Sequence, residues 1–270
     1  MAVWNRTAER ARALAAVGAE VQASAREALT AAPLVIVCVS ATEDVRHLLE
    51  EASSEPFDGL ALLNMTSGTP EDGRDLRNWA QAHGVAYLDA AIGAYPEQLG
   101  TRAARILVAG DEALFRTHQE LILEIAGSSM YVGADHGAAN AIDCALTGAF
   151  YISSLVSFIE AVRFVHEFGV SHDVLSDLSS YSVSVLDHQM KLALDRVARN
   201  DFTTDQATLN VYADAVATFA AGLEGRGDAL MVQAATRVLR QAVDAGLGDQ
   251  DIAAAVTLRP SAPGESARTN

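Results

Sequence analysis

Hydrophobic positions fall in two styles along the chain. From residue 1 to about 133, short β-branched runs alternate with amphipathic stretches of helical period. Leu34-Val35-Ile36-Val37-Cys38-Val39 is a near-continuous apolar run of strand length, the pattern of a parallel strand covered on both faces. Ala2 to Trp4, Leu60 to Asn64, Val85 to Leu88, Arg105 to Ala109 and Met130 to Val132 read as weaker strands of the same kind. The helices between them have legible ends. Thr7 is placed to cap a helix from Ala8 to Val17, stopped by Gly18, and Thr42 to cap one from Glu43 to Ala52. Thr69-Pro70 is an N-cap followed by a first-turn proline, opening a helix that ends at Gly84. This alternation predicts a doubly wound α/β sheet.

From about residue 137 the strand pattern is gone. Gly137 to Phe168 reads as one long helix, roughly 45 Å at 1.5 Å per residue, which leaves the α/β half and enters another body. Helical patterns recur at 171–199, 205–223 and 227–245, with a last short helix at 250–257. The expected organisation is an α/β domain over 1–133, an interdomain helix over 134–169, a helical domain over 170–258 and a disordered polar tail over 259–270.

Composition narrows the function classes. Half of the residues are hydrophobic, enough for a sizeable core. Lys+Arg total 19 against 35 Asp+Glu, a formal net charge of -16, so neither nucleic acid nor an anionic membrane is an expected partner. A single local arginine can still hold a small anionic ligand. Cys38 and Cys144 read as buried small hydrophobes of a reducing compartment. No apolar stretch is expected to reach the roughly 18 residues of a membrane helix, and Met1 to Thr7 lacks the apolar run of a signal peptide. A soluble cytoplasmic protein is expected. The seven histidines show no ligand spacing, so no metal site is expected.

Three constellations carry candidate chemistry. In Trp4-Asn5-Arg6-Thr7 a strand meets a helix N-terminus. In a dinucleotide-binding sheet, the end of the second strand faces the adenosine ribose, where an arginine and a hydroxyl suit a 2′-phosphate. The plainer alternative is a solvated Arg6 and a simple cap at Thr7. In Asn64-Met65-Thr66-Ser67-Gly68-Thr69-Pro70 a strand end meets a glycine turn and a capped helix, beside Val39-Ser40-Ala41 at the end of the strongest strand. Small residues at two adjacent strand tips allow a ribose and nicotinamide to approach, although an ordinary turn has the same composition. In the long helix, Asp143, Thr147 and Tyr151 lie at i, i+4 and i+8 and drift only about 80° around an α-helical axis, with Ser154 continuing the polar stripe. A carboxyl on an apolar helix serves as a proton donor or stabilises a cation, and a tyrosine relays a proton. Asp143 and Tyr151 also suit plain packing roles.

These segments, together with Asp89-Ala90-Ala91-Ile92-Gly93-Ala94-Tyr95-Pro96, Gly137-Ala138-Ala139-Asn140-Ala141-Ile142-Asp143 and Ala245-Gly246-Leu247-Gly248-Asp249-Gln250-Asp251-Ile252, carry a resemblance. In order and spacing they resemble the NADPH-dependent imine reductases and reductive aminases, relatives of the 6-phosphogluconate and β-hydroxyacid dehydrogenases, over about residues 2–257. The resemblance implies a Rossmann-type domain, a long interdomain helix and a helical dimerisation and substrate domain exchanged between the two chains of a homodimer. It implies that Asn5, Arg6 and Thr7 hold the 2′-phosphate of NADPH, and that Val39, Ser40, Thr66 and Ser67 line the nicotinamide riboside. Asp143 falls where the family places its catalytic aspartate or tyrosine, and Tyr151 at a second polar position used in reductive aminases. β-Hydroxyacid dehydrogenases carry a lysine at position 143, where this chain has a carboxyl group suited to a cationic or protonatable nitrogen. The implied reaction is hydride transfer from NADPH to a cyclic or hydrophobic imine, formed in place or from a carbonyl and an amine.

The sequence departs from this pattern at its start. The family opens on a strand and a G-x-G-x-x-G turn that seats the pyrophosphate, and this chain opens on the second strand. The first strand is central in the usual order, so its absence is expected to leave a hole in the sheet. Met1 is then expected to be an internal start within a longer gene, and the chain taken alone to bind NADPH weakly. The alternatives are a β-hydroxyacid dehydrogenase-like oxidoreductase and an inactive, cofactor-free dimeric relative.

Overall fold

A computed structural model describes residues 1–53, 56–57, 59–224 and 229–259. The expected disordered tail lies outside the described residues from 260 onward. The chain divides into two compact units, residues 1–151 and 152–270.

The first unit contains two sheets. β1 (Ala2–Val3) and β2 (Glu20–Val21) pair in parallel, linked by α1 (Ala8–Ala15). β3 (Leu34–Val37), β4 (Ala61–Asn64), β5 (Ala86–Gly93), β6 (Arg105–Gly110) and β7 (Met130–Gly133) form the second sheet in that order. Among the described residues, no ladder joins the two sheets. The β1–β2 layer connects to the rest through α2 (Ala25–Thr30), where Arg26 donates to the Ala52 carbonyl at the end of α3 (Thr42–Ala52).

The side-chain period of two sorts the main sheet's core onto both faces. Leu62 packs with Val45 and Leu49 of α3 and Leu76 and Ala80 of α4 (Pro70–Ala82). Its neighbour Leu63 packs on the other face with Phe115 and Ile122 of α5 (Glu112–Ile125). Each of these buried Leu, Val, Ile and Phe side chains contributes roughly 1.5–3 kcal/mol. The expectation of like-oriented strands fails at one place: β6 runs antiparallel to β5. The connection, residues 94–104, holds only a 3₁₀ turn (Pro96–Gln98), and a parallel crossover needs a helix-sized link.

Two further expectations change. Both cysteines are exposed. Cys38 lies just past β3, at the edge of its sheet, and Cys144 lies in a helical segment with no buried residue. The long helix also has a different internal geometry. It is α-helical over α6 (Ala138–Ile142), π-helical over Asp143–Ile152 and α-helical again over α7 (Ser153–His166).

The second unit is helical: α7, α8 (His172–Arg199), α9 (Leu209–Leu223), α10 (Leu230–Ala242), a π turn (Val243–Leu247) and a 3₁₀ turn (Ile252–Thr257). Leu209, Ala242 and Ala254 centre its core, with Phe202, Leu239, Leu247 and Ile252 against them. Arg196 pairs with Asp251 at 3.2 Å, and the Asp251 N–H donates to the Phe202 carbonyl, tying α8 to the last turn. Yet none of α8's 28 residues is buried. Val174, Leu178, Tyr181 and Val185, at i, i+4, i+7 and i+11, form one exposed apolar stripe along it.

Beyond the buried Ala139 and Asn140, the helical stretch 138–166 is also largely unburied, and by length and composition it could cross a membrane. That corrects the expectation that no apolar stretch reaches the length of a membrane helix.

Candidate active site

The parallel register pairs Val37 with Asn64, which sets the tips of β3 and β4 side by side. The Val39 N–H donates to the Thr66 hydroxyl oxygen at 3.1 Å, and the Thr66 N–H donates to Asn64 Oδ1 at 3.1 Å. Thr66 is thus buried and engaged in stitching the tips together, while Ser40 and Ser67 are exposed. Thr42 is not a cap as expected. The helix begins at Thr42 itself, and its hydroxyl donates to the Ser67 carbonyl at 3.4 Å. The Thr69 cap does form, as a capping box with Asp72. Hydrogen bonds from Thr69, aided by Arg46, hold the Asp72 carboxyl below its usual range despite partial burial.

Beneath the tips lies a buried polar hub that the sequence reading did not single out. The carboxyl of Asp89, in β5, is fully buried. It accepts from the Tyr87 hydroxyl at 2.8 Å, Asn64 Nδ2 at 3.2 Å and Asn140 Nδ2 at 2.8 Å. Burial pushes this carboxyl up to about 6, against the opposing hydrogen bonds from Tyr87 and Asn64. A lone carboxylate in the strand-like run Tyr87-Leu88-Asp89-Ala90-Ala91-Ile92 is the signal that could have flagged it.

The hub fastens the start of the long helix to the strand tips. Asn140 Nδ2 also donates to the Thr69 carbonyl at 3.3 Å, and Cys144 Sγ lies 3.7 Å from the Gly68 carbonyl as its donor. Arg74 forks onto Asp135 at 2.9 and 2.6 Å, and Asp135 Oδ1 accepts from the Gly137 N–H at 2.9 Å. Two glycines permit the close approach. A Cβ on Gly73 would stand 2.5 Å from the His136 carbonyl oxygen, and one on Gly137 would stand 2.6 Å from that of Pro70. Asp143, half-buried, opens the π-helical stretch between the Asn140 and Cys144 anchors.

In π geometry the hydrogen bonds run i to i+5, so the stripe of Asp143, Thr147 and Tyr151 derived for 100° per residue does not hold as drawn. Tyr151 instead meets a residue from the sheet: its hydroxyl lies 2.8 Å from that of Tyr95, in the turn after β5. At the other constellation, Asn5 Oδ1 accepts from the Thr7 N–H at 2.9 Å, and the Thr7 side chain makes no cap bond. The Arg6 guanidinium, 83% exposed, meets Asp44 Oδ1 at 3.3 Å. The structure therefore brings Val39, Ser40, Thr66 and Ser67 together at the β3–β4 tips, with Asp143 on the helix that docks there, while Tyr151 meets Tyr95. It brings Arg6 to the start of α3.

Residues 1–133 match the NAD binding domain of 6-phosphogluconate dehydrogenase, and residues 135–259 match the NADPH-dependent reductive aminase-like C-terminal domain. An imine reductase from Myxococcus stipitatus, solved in complex with NADP+, is 30% identical and superposes with a TM-score of 0.86, over 94% of this chain and 90% of that one. The chain belongs to the imine reductase and reductive aminase family. A reductive aminase from Aspergillus terreus, solved with NADPH4, cyclohexanone and allyl amine, is 27% identical at a TM-score of 0.85, over 94% of this chain and 89% of that one. The NADPH-dependent reductive aminase of Aspergillus oryzae is 26% identical over 257 residues, 94% of this chain and 87% of its own. As an imine reductase relative, the chain has the Rossmann-type sheet and mostly helical C-terminal half that the sequence led one to expect.

Proposed function

We propose that this protein reduces cyclic or hydrophobic imines to amines with NADPH, and that the imine is met either preformed or as the condensation product of a carbonyl compound and an amine. The observation that supports the reading is the docking of the helix that carries Asp143 onto the β3–β4 tips through Asn140 and Cys144, at the end of a sheet of this class where dinucleotides bind. Two features fit NADPH. Arg6 offers an exposed guanidinium fork next to the first turn of α1, suited to a 2′-phosphate with Asn5 and Thr7. Ser40 and Ser67 flank the stitched tips of β3 and β4, with Val39 and Thr66 beneath, leaving small exposed groups for the nicotinamide riboside.

Bound NADPH supplies the hydride. The residues of this chain do the rest. The Asp143 carboxylate holds a positive charge at the C=N nitrogen, or orients it, in a site of low dielectric. Tyr151 carries a proton for that nitrogen. A lysine in place of Asp143 would repel the same cation, which separates imine chemistry from that of the 3-hydroxyacids. Support for a homodimer comes from the exposed apolar stripe of α8 and the unburied α7, too much apolar surface for a lone soluble chain. The two free thiols suit a reducing cytoplasm.

The test mixes the protein with NADPH and 1-pyrroline, with a 3-hydroxyacid and NADP+ in parallel, and follows reduced nicotinamide by absorbance. Consumption of NADPH with the imine alone is expected. Turnover of the hydroxyacid alone, or no binding of NADPH by fluorescence titration, overturns the reading.

A further inference from the structure

We propose that Tyr95 is a second catalytic residue, which with Tyr151 forms a two-phenol unit that delivers the proton to the imine nitrogen; this rests on the imine-reducing reading of the site. β5 runs parallel to β4, so the turn after it leaves the sheet at the same end as the Thr66–Ser67 tip. Gln98 Oε1 accepts from the Tyr95 N–H at 2.8 Å, and Pro96 opens a 3₁₀ turn, so the Tyr95 main chain is held from the following residues. Tyr95 is 55% exposed, and Tyr151 is 41% exposed. Their hydroxyls meet at 2.8 Å across 56 residues of sequence.

A hydrogen bond between two phenols uses one hydrogen. The other O–H remains free to point outward, whichever ring is the donor. The contact with Tyr95 also holds the Tyr151 phenol above its ordinary range, so the unit keeps its protons at neutral pH. Two exposed rings joined this way gain only about 1 kcal/mol of stability, which makes packing a poor reason for the pair.

The pair matches the proton demand of the reaction. An imine nitrogen is weakly basic. The amine it becomes has a basicity like that of lysine, ~10.4, close to a phenol at ~10. As hydride from the reduced nicotinamide forms the new C–H bond, the C=N π pair moves onto nitrogen, which takes the Tyr95 proton. The phenolate recovers a proton from Tyr151 across the hydrogen bond, and Tyr151 recovers one from water. The nicotinamide leaves oxidised.

The test compares Tyr95→Phe, Tyr151→Phe and the double variant on two substrates. With 1-pyrroline, turnover is expected to fall about 10-fold or more in each single variant, with no further fall in the double and no change in NADPH affinity. With N-methyl-1-pyrrolinium, which accepts hydride without needing a proton, all three are expected to match the parent. The ultraviolet titration of tyrosinate should show one phenol titrating lower in Tyr95→Phe. Parental turnover of 1-pyrroline by Tyr95→Phe, or equal losses on both substrates, overturns the role of Tyr95. A parent inactive on both substrates overturns the reading of the site and this role with it, and the tyrosinate titration then still reports whether the two phenols are paired.

Discussion

Asp143 and Arg6 make opposite demands on their surroundings. Asp143 is half-buried between the Asn140 and Cys144 anchors, and we propose that its charge acts on the occupant of the strand tips. Asp143→Ala is expected to lower imine turnover by about 10²-fold while the Kd for NADPH, read by fluorescence, stays near the parental value. A parental turnover number would remove the carboxyl from the chemistry. Arg6 is almost fully exposed and meets one carboxylate at 3.3 Å, an arrangement that adds little stability in water. We propose that it serves instead to grip the 2′-phosphate. Arg6→Ala should narrow the preference for NADPH over NADH by about tenfold, measured as the ratio of kcat/KM, with the melting temperature unmoved. An unchanged ratio would place the 2′-phosphate elsewhere.

Between elements, the Asp89 hub decides how β4, β5 and α6 sit together. Its three donors come from Tyr87 on its own strand, Asn64 on β4 and Asn140 on α6. With its carboxyl raised from 3.8 to about 6 in the folded chain, the folded state binds the proton more tightly than the unfolded state. This group's contribution to stability is therefore full below about pH 4 and is lost as pH rises through about 6, a change on the order of a few kcal/mol. Asp89→Asn should remove that component. The difference in melting temperature between parent and variant should shift toward the variant as pH rises over this range, and a difference independent of pH would mean that Asp89 is ionised in both states. The π-helical stretch acts at the same scale. It turns the long helix so that Tyr151 reaches Tyr95, a pairing that a regular α-helical repeat did not foretell.

At the scale of the molecule, the second unit exposes an apolar stripe that we propose a second copy covers. Val174, Leu178, Tyr181 and Val185 line α8 at the spacing of a helix–helix seam. Sedimentation should show a dimer, and Leu178→Asp, which would bury an unpaired carboxylate in that seam, should weaken it by about 10²-fold or more. A parent that sediments as a monomer would instead leave this surface for another partner. The local code was enough for several features: the strand runs, the Thr69-Pro70 helix start and the long apolar helix each follow from periodicity and capping within about a dozen residues. The order of segments was enough for the family. Other features depend on residues far apart in the chain. The reversal of β6, the engagement of Thr66 and Thr42 in stitching strand tips, the burial of Asp89 and the Tyr95–Tyr151 contact each arise from partners 20 to 60 positions away, or from a connection too short for a crossover. Period and propensity are local quantities, whereas burial, hydrogen-bond partners and strand direction are fixed only when distant segments pack, and the site is made of the latter.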